Sequence, residues 1–480
     1  MRQNKLTLIL GIALVLGARS ASADWKDDIG WTRLLTEYGG APVTGAGVVV
    51  SITEAPDTFG NYMPNAPGPL PPEYIGKTFT NASGTSTGQS GHSEAVARAY
   101  FGNLTSIAGG TTSITAFEAN DWIDNRLNFV SGADPVAHNF KVQNHSWIGN
   151  FPSFLDSQNV LQRADFVVDR DEVTMIAGTA NVGAIPHMLT HAYNVISVGR
   201  TDGGHAKGLT GFYGTGRSRP DIVAPTPDRG PYTSYTTPVV SSVATVLHQA
   251  AAGTDAARSE SMRAILMAGA TKEEFGAWDQ TAARRIDDVF GAGEVNVYNS
   301  YKIIEAGEFN GSLVEPIASI NRYGWDYNSN LNSTDSMFYD IVVGPGVNWT
   351  DISILLAWNI EVTDLDSSAG IFNATTSLAD FNLELFNSNS SFLGSLLDSS
   401  MATVGNVEHL YLNSLGPGRY TLRVTTNSSH DFALAWRANI SAIPEPGSFV
   451  GLGFLSICLG AFFYRQRPIR RTPRLAIVQR

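Results

Sequence analysis

The sequence predicts an α/β domain built on a parallel sheet, followed by an all-β sandwich. Two observations support this prediction. Apolar runs of strand length alternate with helical stretches up to about residue 305, and beyond that point short strands alternate with turns. The 480 residues are enough for two or three domains with full-sized cores. Hydrophobic residues make up 43% of the chain and charged residues 16%, which is typical of a globular protein.

The first part of the chain supplies both kinds of element. Three apolar runs have the length of buried parallel strands, at 48–52, 173–177 and 195–198. Helices are predicted at 94–101, 239–252 and 259–268. Alternating strands and helices predict a parallel sheet within residues 24–305.

After about residue 310 the composition shifts toward Asn, Ser, Thr and Gly, and apolar residues follow a period of two. Successive side chains of a strand point to opposite faces, so this pattern is typical of strands with one buried face. The clearest triplets are Ile352, Ile354 and Leu356, then Phe381, Leu383 and Leu385, then Tyr420, Leu422 and Val424. They predict a β-sandwich over residues 311–440.

Charge and cysteine content restrict the class of protein. The net charge of −12 argues against nucleic acid as a partner, because a phosphate backbone requires a basic surface. The only cysteine, Cys458, lies in the apolar segment near the C-terminus. The fold is therefore held by core packing, or by packing together with bound ions.

Both ends of the chain have the features of targeting signals. Arg2 and Lys5 precede an apolar stretch and the small-residue triplet 21–23, which predicts a secretory signal peptide over residues 1–23. A second apolar stretch, at 447–464, is about long enough for one transmembrane helix and is followed by an arginine cluster. By the positive-inside rule this end stays in the cytoplasm. The sequence thus predicts an exported protein anchored by its C-terminal helix.

The stretch from 230 to 247 carries the strongest chemical signal. Thr233 and Ser234 are followed by Pro238 and a run of small and β-branched residues that favours a helix. Proline suits the first turn of a helix, so Ser234 is expected just before or at the helix N-terminus. Free main-chain N–H groups and the positive end of the helix dipole lie there, where they serve a nucleophile and an oxyanion.

This block resembles the serine block of the subtilisin-like serine proteases, Gly-Thr-Ser-Met-Ala-x-Pro. The resemblance spans about residues 30–300 and implies a subtilisin-like parallel sheet with helices on both faces. Further blocks occur in the family's order at 47–54, 91–97, 194–199, 219–225 and 291–296. The chain departs from the family in having Glu54 in place of Asp, Tyr232 in place of Gly, Tyr235 in place of Met, and Val239 where a His is usual.

The resemblance implies an endopeptidase with Ser234 as nucleophile, His92 as base and Glu54 as the carboxylate that orients the imidazole. Asp57 is a nearby alternative to Glu54, although it falls past the strand end. The oxyanion donor of the family, the Asn of Ala-Gly-Asn, aligns with Thr179 in strict register and with Asn181 after a slip of two residues. The implied substrate is a polypeptide. No cofactor is certain, and calcium stays open without identified ligands.

Two further resemblances concern the C-terminal part. Segments at 379–385, 406–410 and 416–424 resemble the bacterial pre-peptidase C-terminal domain, which implies an accessory or binding module. The Pro-Glu-Pro triplet at 444–446, the apolar helix and the arginines resemble the PEP-CTERM sorting signal, here over 443–471. That signal implies exosortase-type machinery as a partner, with anchoring in the inner membrane until the tail is removed. A rival hypothesis is a catalytically degenerate surface protein that acts as a scaffold.

Two weaker signals concern metal binding. His187 and His191 have the spacing of a zinc-peptidase motif, but Met188 stands where that motif has Glu. The acidic residues Asp165, Asp169, Asp171 and Glu172 lack the pattern of a calcium loop, so a solvated helix face is predicted.

Overall fold

The structure is a computed structural model that describes residues 24–443, except 66, 85, 87, 228–229, 282–283, 315–317, 368–369 and 389–392. Its centre is a seven-stranded sheet in the order β2-β3-β1-β4-β5-β6-β9. Every neighbouring pair in this sheet is parallel. The strands of the first part, including a small hairpin of β7 and β8, are β1 (Val50–Glu54), β2 (Thr78–Asn81), β3 (Ser113–Glu118), β4 (Val142–His145), β5 (Thr174–Gly178), β6 (Ile196–Arg200), β7 (Gly208–Leu209), β8 (Ser218–Arg219) and β9 (Ile222–Ala224).

Helices cover both faces of this sheet, which confirms the predicted α/β class. They are α1 (Trp25–Asp28), α2 (Trp31–Tyr38), α3 (Gly91–Phe101), α4 (Ala119–Asp121), which continues into a π-helical turn (Trp122–Arg126), α5 (Phe154–Asp171), α6 (Thr233–Ala250), α7 (Ser259–Gly269) and α8 (Val297–Glu305). Ile176 of β5 packs into the core that contains α3 and α6, whereas Met175 and Ala177 pack into the core that contains α5. The alternation of side chains along each strand thus divides the interior into two cores.

The second part is a sandwich of two four-stranded antiparallel sheets, as the period-two pattern predicts. The sheets have the orders β10-β19-β12-β17 and β11-β18-β15-β16. Ile354, Leu383 and Leu422 come from three different strands and lie together in the core between the sheets. The strands, with the hairpin of β13 and β14, are β10 (Tyr323–Leu331), β11 (Met337–Val343), β12 (Val347–Ala357), β13 (Glu361–Asp364), β14 (Ala374–Ser377), β15 (Phe381–Ser388), β16 (Leu393–Ser400), β17 (Val407–Leu415), β18 (Gly418–Thr426) and β19 (His430–Ala442).

Helix α7 joins the two parts of the chain into one hydrophobic core. All of its residues are buried, because β12 and β19 of the sandwich pack on it. Arg437 of β19 is 1% exposed and donates hydrogen bonds to the carbonyls of Ala268 and Ala270, at 3.0 and 2.9 Å. These carbonyls lie at the end of α7, where the helix itself provides no donors. A side chain of the sandwich therefore supplies the hydrogen-bond donors for the last carbonyls of a helix in the α/β part.

Two sequence-based expectations need correction. Helix α6 begins at Thr233 rather than at 239, so Pro238 lies in the helix interior and not in its first turn. Asp165 is fully buried rather than solvated, because it accepts hydrogen bonds from the main-chain N–H groups of Tyr193 and Asn194 and from the hydroxyl of Tyr213. An aspartate with that many donors is a structural anchor between α5 and β6.

The predicted targeting segments lie outside the part of the chain that the structure describes. This holds for the signal peptide over 1–23, for the tail from 444 onward and for the transmembrane helix at 447–464. Within residues 24–443, no described helix has the length and apolar character that crossing a bilayer requires.

Candidate active site

The carboxyl end of the parallel sheet brings the candidate catalytic residues together. Glu54 is the last residue of β1, and Thr53 pairs with His145 at the end of the neighbouring strand β4. Ser146 follows directly, so it lies at the same sheet edge as Glu54. In open α/β sheets this edge is where ligands bind.

Glu54 and His92 form a carboxylate–imidazole pair. The Nδ1 atom of His92 lies 2.6 Å from Oε2 of Glu54. The carboxylate side chain is 1% exposed and the imidazole 42% exposed, so a buried anchor holds a ring that solvent and substrate can reach. Because Nδ1 donates to the carboxylate, Nε2 is left as the acceptor that a general base needs.

The two partners shift each other's pKa values. Burial raises the pKa of Glu54, and the hydrogen bond and charge of His92 oppose that effect. Burial by itself would lower the pKa of His92, but the hydrogen bond and negative charge of Glu54 outweigh it and raise the pKa. The imidazole thus holds a proton more readily than an ordinary histidine does.

Ser234 is the second residue of α6, and this helix packs against α3, which carries His92. The ring of the next residue, Tyr235, stacks on the imidazole of His92 at a centroid distance of 6.2 Å. Among the described residues, the Ser234 hydroxyl has one hydrogen bond, donated to the carbonyl of Ser146 at 3.4 Å. The serine therefore lies beside the Glu54–His92 pair without being hydrogen-bonded to it.

Helix α6 approaches the sheet closely at its N-terminal end. A Cβ atom on Gly178, at the end of β5, would lie 2.6 Å from Oγ1 of Thr237, so only glycine fits there. Small residues along α6 make the approach possible, and their hydroxyls stay satisfied: Ser241 and Thr245 donate to main-chain carbonyls one turn earlier. This packing places the start of α6 at the carboxyl edge of the sheet.

Asn181, and not Thr179, lies in a position to serve the start of α6. Its Oδ1 accepts from the main-chain N–H of Thr233 at 2.7 Å and thereby caps a helix whose own N-cap, Tyr232, provides no side-chain bond. Its Nδ2 has no hydrogen bond among the described residues. Thr179 is fully buried, and its carbonyl accepts from the Thr233 hydroxyl at 2.6 Å. The geometry therefore favours the two-residue slip.

The remaining candidates have structural roles. Asp57 accepts hydrogen bonds from the main-chain N–H groups of Phe59 and Asn61 in a turn, so Glu54 is the carboxylate that meets His92. Asp221, in the block at 219–225, accepts from the N–H and hydroxyl of Ser197 at 2.8 Å. Sequence reasoning missed Ser146. It follows the short polar strand β4, which has no apolar pattern to reveal it.

The residues whose spacing suggested metal binding form no metal site in the described part of the chain. His187 and His191 lie in an aromatic cluster, 5.2 Å apart between ring centroids, with Phe212 against both rings. No group of three or more histidine, cysteine or acidic side chains there has an arrangement that could hold a metal ion.

Comparison with known proteins gives coarse likenesses only. No family model matches the chain, and no curated protein matches it. Among solved structures, tripeptidyl peptidase 2 is similar at 10% identity and a TM-score of 0.31, over 72% of this chain. This chain spans only 40% of the length of that protein. A structure described as an S41 psychrophilic protease is similar at 16% identity and a TM-score of 0.34, over 55% of this chain and 97% of its own.

A third similar structure is not described as a protease. A family 6 carbohydrate-binding module matches at 11% identity and a TM-score of 0.13, over 23% of this chain and 71% of its own. With identities and TM-scores this low, the functional interpretation depends on the geometry of the site.

Proposed function

We propose that the chain is an exported subtilisin-like serine endopeptidase that hydrolyses polypeptide substrates through an acyl-enzyme on Ser234. The observation that carries this proposal is the Glu54–His92 pair, joined at 2.6 Å beside the start of α6. A serine hydroxyl becomes a nucleophile only when a base takes its proton, and a carboxylate keeps that base in the right tautomer. These three groups lie at one edge of the sheet.

In the proposed reaction, Ser234 Oγ attacks the carbonyl carbon of the scissile peptide while Nε2 of His92 takes the hydroxyl proton. The carbonyl oxygen becomes an oxyanion, for which Nδ2 of Asn181 and main-chain N–H groups at the start of α6 are the donors. His92 then gives its proton to the leaving amine as the C–N bond breaks. A water molecule, deprotonated by the same imidazole, hydrolyses the ester on Ser234 and restores the enzyme.

The alternative is a catalytically degenerate scaffold whose β-sandwich carries binding. One observation favours it: the Ser234 hydroxyl is bonded to the Ser146 carbonyl and not to His92. Catalytic hydrogen bonds are often loose in the free enzyme and tighten when substrate binds, so the observed position of the Ser234 hydroxyl is compatible with an endopeptidase.

A fluorophosphonate probe separates the two hypotheses. The endopeptidase is expected to be labelled on Ser234, and Ser234→Ala is expected to lose the label. Ser153→Ala is the matched control, because Ser153 also lies at a helix N-terminus, where its hydroxyl accepts from the N–H of Asp156, and no described hydrogen bond joins it to a histidine. It should keep full labelling. A folded wild-type sample that stays unlabelled, beside a control protease that reacts, would favour the scaffold.

Asn181 is expected to be the oxyanion donor. We expect Asn181→Ala to lower kcat about 100- to 1000-fold, the usual effect of losing one such donor. Asn181→Asp should lower kcat at least as much, although it keeps the acceptor that caps α6, and so separates the lost donor from a lost cap. Thr179→Val should change kcat less than about threefold, because its hydroxyl is buried away from the cleft. Steady-state kinetics would contradict this assignment if the Thr179 variant were the impaired one.

The pH dependence should reflect the raised pKa of His92. A protonated imidazole accepts no proton from Ser234, so activity falls as the pH drops through the pKa of His92. Because Glu54 raises that pKa above the ordinary value of 6.5, kcat/KM is expected to fall at a higher pH than an isolated histidine would predict. A profile of kcat/KM against pH checks this, and an acid limb centred below 6.5 would contradict it.

We also propose that the protein leaves the cytoplasm, with its tail anchored in the inner membrane until exosortase-type machinery removes it. The support is sequence alone: the signal peptide over 1–23 and the PEP-CTERM-like tail over 443–471. Cell fractionation should find the processed chain at the cell envelope or outside the cell. An intact, unprocessed chain in the cytosol would contradict the proposal.

A further inference from the structure

A cavity on the other face of the sheet is separate from the candidate active site. It has a volume of about 210 Å³ and lies on the face that carries α5, whereas α6 with Ser234 covers the opposite face. Phe117, Trp122 and Phe140 contribute aromatic rings to its wall, and Val136, which is partly exposed, lines it as well. A dry apolar cavity of about 150 Å³ is enough for one benzene ring.

One wall of this cavity carries a positive charge, and no carboxylate among the described residues pairs with it. The guanidinium of Arg126 lies over the ring of Phe117, 5.2 Å from its centroid. Its Nε is buried and has no hydrogen-bond partner, and within the described residues the side chain forms no ion pair. The guanidinium can therefore pair with a bound anion only through its terminal nitrogens.

His138 also lines the cavity, and a chain of hydrogen bonds determines where its proton is. The indole N–H of Trp147 donates to Nδ1 of His145 at 3.2 Å, so His145 carries its proton on Nε2 and donates to Oε1 of Gln143 at 3.3 Å. The amide nitrogen of Gln143 then donates to Nε2 of His138 at 2.6 Å. His138 must therefore carry its proton on Nδ1.

The Nδ1 atom of His138 is buried, and apart from its own main-chain carbonyl no acceptor among the described residues is close to it. Burial lowers the pKa of His138 to about 4, which keeps the ring neutral. Asp171, 3.6 Å from Nε2, is held by Arg170 instead. His138 thus contributes a neutral ring to the cavity wall, and Arg126 contributes a cationic side chain.

We propose that this cavity binds a small molecule with an aromatic or compact apolar body and one carboxylate. The apolar body would fill the space between Phe117, Trp122 and Phe140, as in most small-molecule sites, where a few polar groups orient a ligand against apolar walls. The carboxylate accepts from the terminal nitrogens of the Arg126 guanidinium, and its charge neutralises that cation. A neutral ligand would leave that charge unpaired.

The test uses 3-phenylpropionate as the probe and 3-phenylpropanamide as its uncharged twin, in titration calorimetry with the purified chain. We expect saturable one-to-one binding of the acid and about 10- to 100-fold weaker binding of the amide, the usual effect of losing a charge-assisted hydrogen bond. Arg126→Gln should lower the affinity for the acid to the affinity that the unaltered chain has for the amide. Ala82→Leu, which fills the cavity, should abolish binding of both compounds.

Arg322→Gln is the matched control, because Arg322 also lies over an aromatic ring, that of Tyr323, but belongs to the part that leads into the sandwich. It should leave both affinities unchanged. Equal affinity for the acid and the amide would overturn the proposal, and so would the absence of saturable acid binding. Acid binding that survives both Arg126→Gln and Ala82→Leu would do the same. The comparison of acid and amide needs only the unaltered chain, so it decides even if a variant fails to fold.

Discussion

Replacing His92 with alanine is expected to lower kcat/KM for peptide hydrolysis by about 10⁴- to 10⁶-fold, the range known for loss of the histidine from a serine triad. Among the residues that the structure describes, Ser234 has no substitute base. His145 is also near the sheet edge, but burial lowers its pKa to about 3, and both of its ring nitrogens are occupied by Trp147 and Gln143.

The control for this prediction is His430→Ala, on β19 of the sandwich, which should keep kcat/KM within about threefold of the wild type. Circular dichroism should verify that both variants fold. A His92→Ala enzyme that loses less than about tenfold in kcat/KM would rule out His92 as the general base.

Replacing Glu54 with glutamine is expected to lower kcat/KM by about 10³- to 10⁴-fold, close to the effect of amidating the triad carboxylate in serine proteases. Glutamine keeps the size of the side chain but removes the negative charge that holds the Nδ1 proton and raises the pKa of His92. Measured by NMR in a Ser234→Ala background, that pKa should move down toward or below the ordinary value of histidine.

Glu54→Asp tests the geometry of the same pair. Aspartate keeps the charge but is shorter by one carbon–carbon bond, about 1.5 Å. Strand β1 is paired with β3 and β4 on its two sides and cannot shift to close that gap. We therefore expect Glu54→Asp to lose about 10- to 100-fold, less than Glu54→Gln. A glutamine variant with wild-type kcat/KM would contradict the role of Glu54.

Sequence patterns predicted the fold where one physical rule dominated. Strands β5 and β6 are buried on both faces, which gives continuous apolar runs. Strands β12, β15 and β18 bury one face against the sandwich core, which gives alternating apolar positions. The predicted start of α6 was wrong because Pro238 suggested the first turn of the helix. The side chain that caps the helix is instead Asn181, which is far away in sequence. Tertiary contacts, not local propensity, determine that boundary.

The candidate site, like the fold, was predicted in part from the sequence and depends in part on tertiary contacts. The order of Glu54, His92 and Ser234 along the chain indicated three groups that the sheet brings to one edge. The choice between Thr179 and Asn181 stayed open in the sequence because both lie in the loop after β5, where no periodic pattern sets the register. The hydrogen bond that Oδ1 of Asn181 accepts from the main-chain N–H of Thr233, at the start of α6, distinguishes them.

The burial of α7 on all sides has an evolutionary consequence. A domain can be exchanged for another only if the rest of the protein stays well packed without it. Here the α/β part does not, because removal of the sandwich would expose α7. A foreign sandwich would have to bring an apolar face that matches α7 and an arginine placed like Arg437, aimed at the two terminal carbonyls of that helix. Recombination at the junction near residue 310 is therefore expected to yield viable descendants only when both halves come from closely related parents.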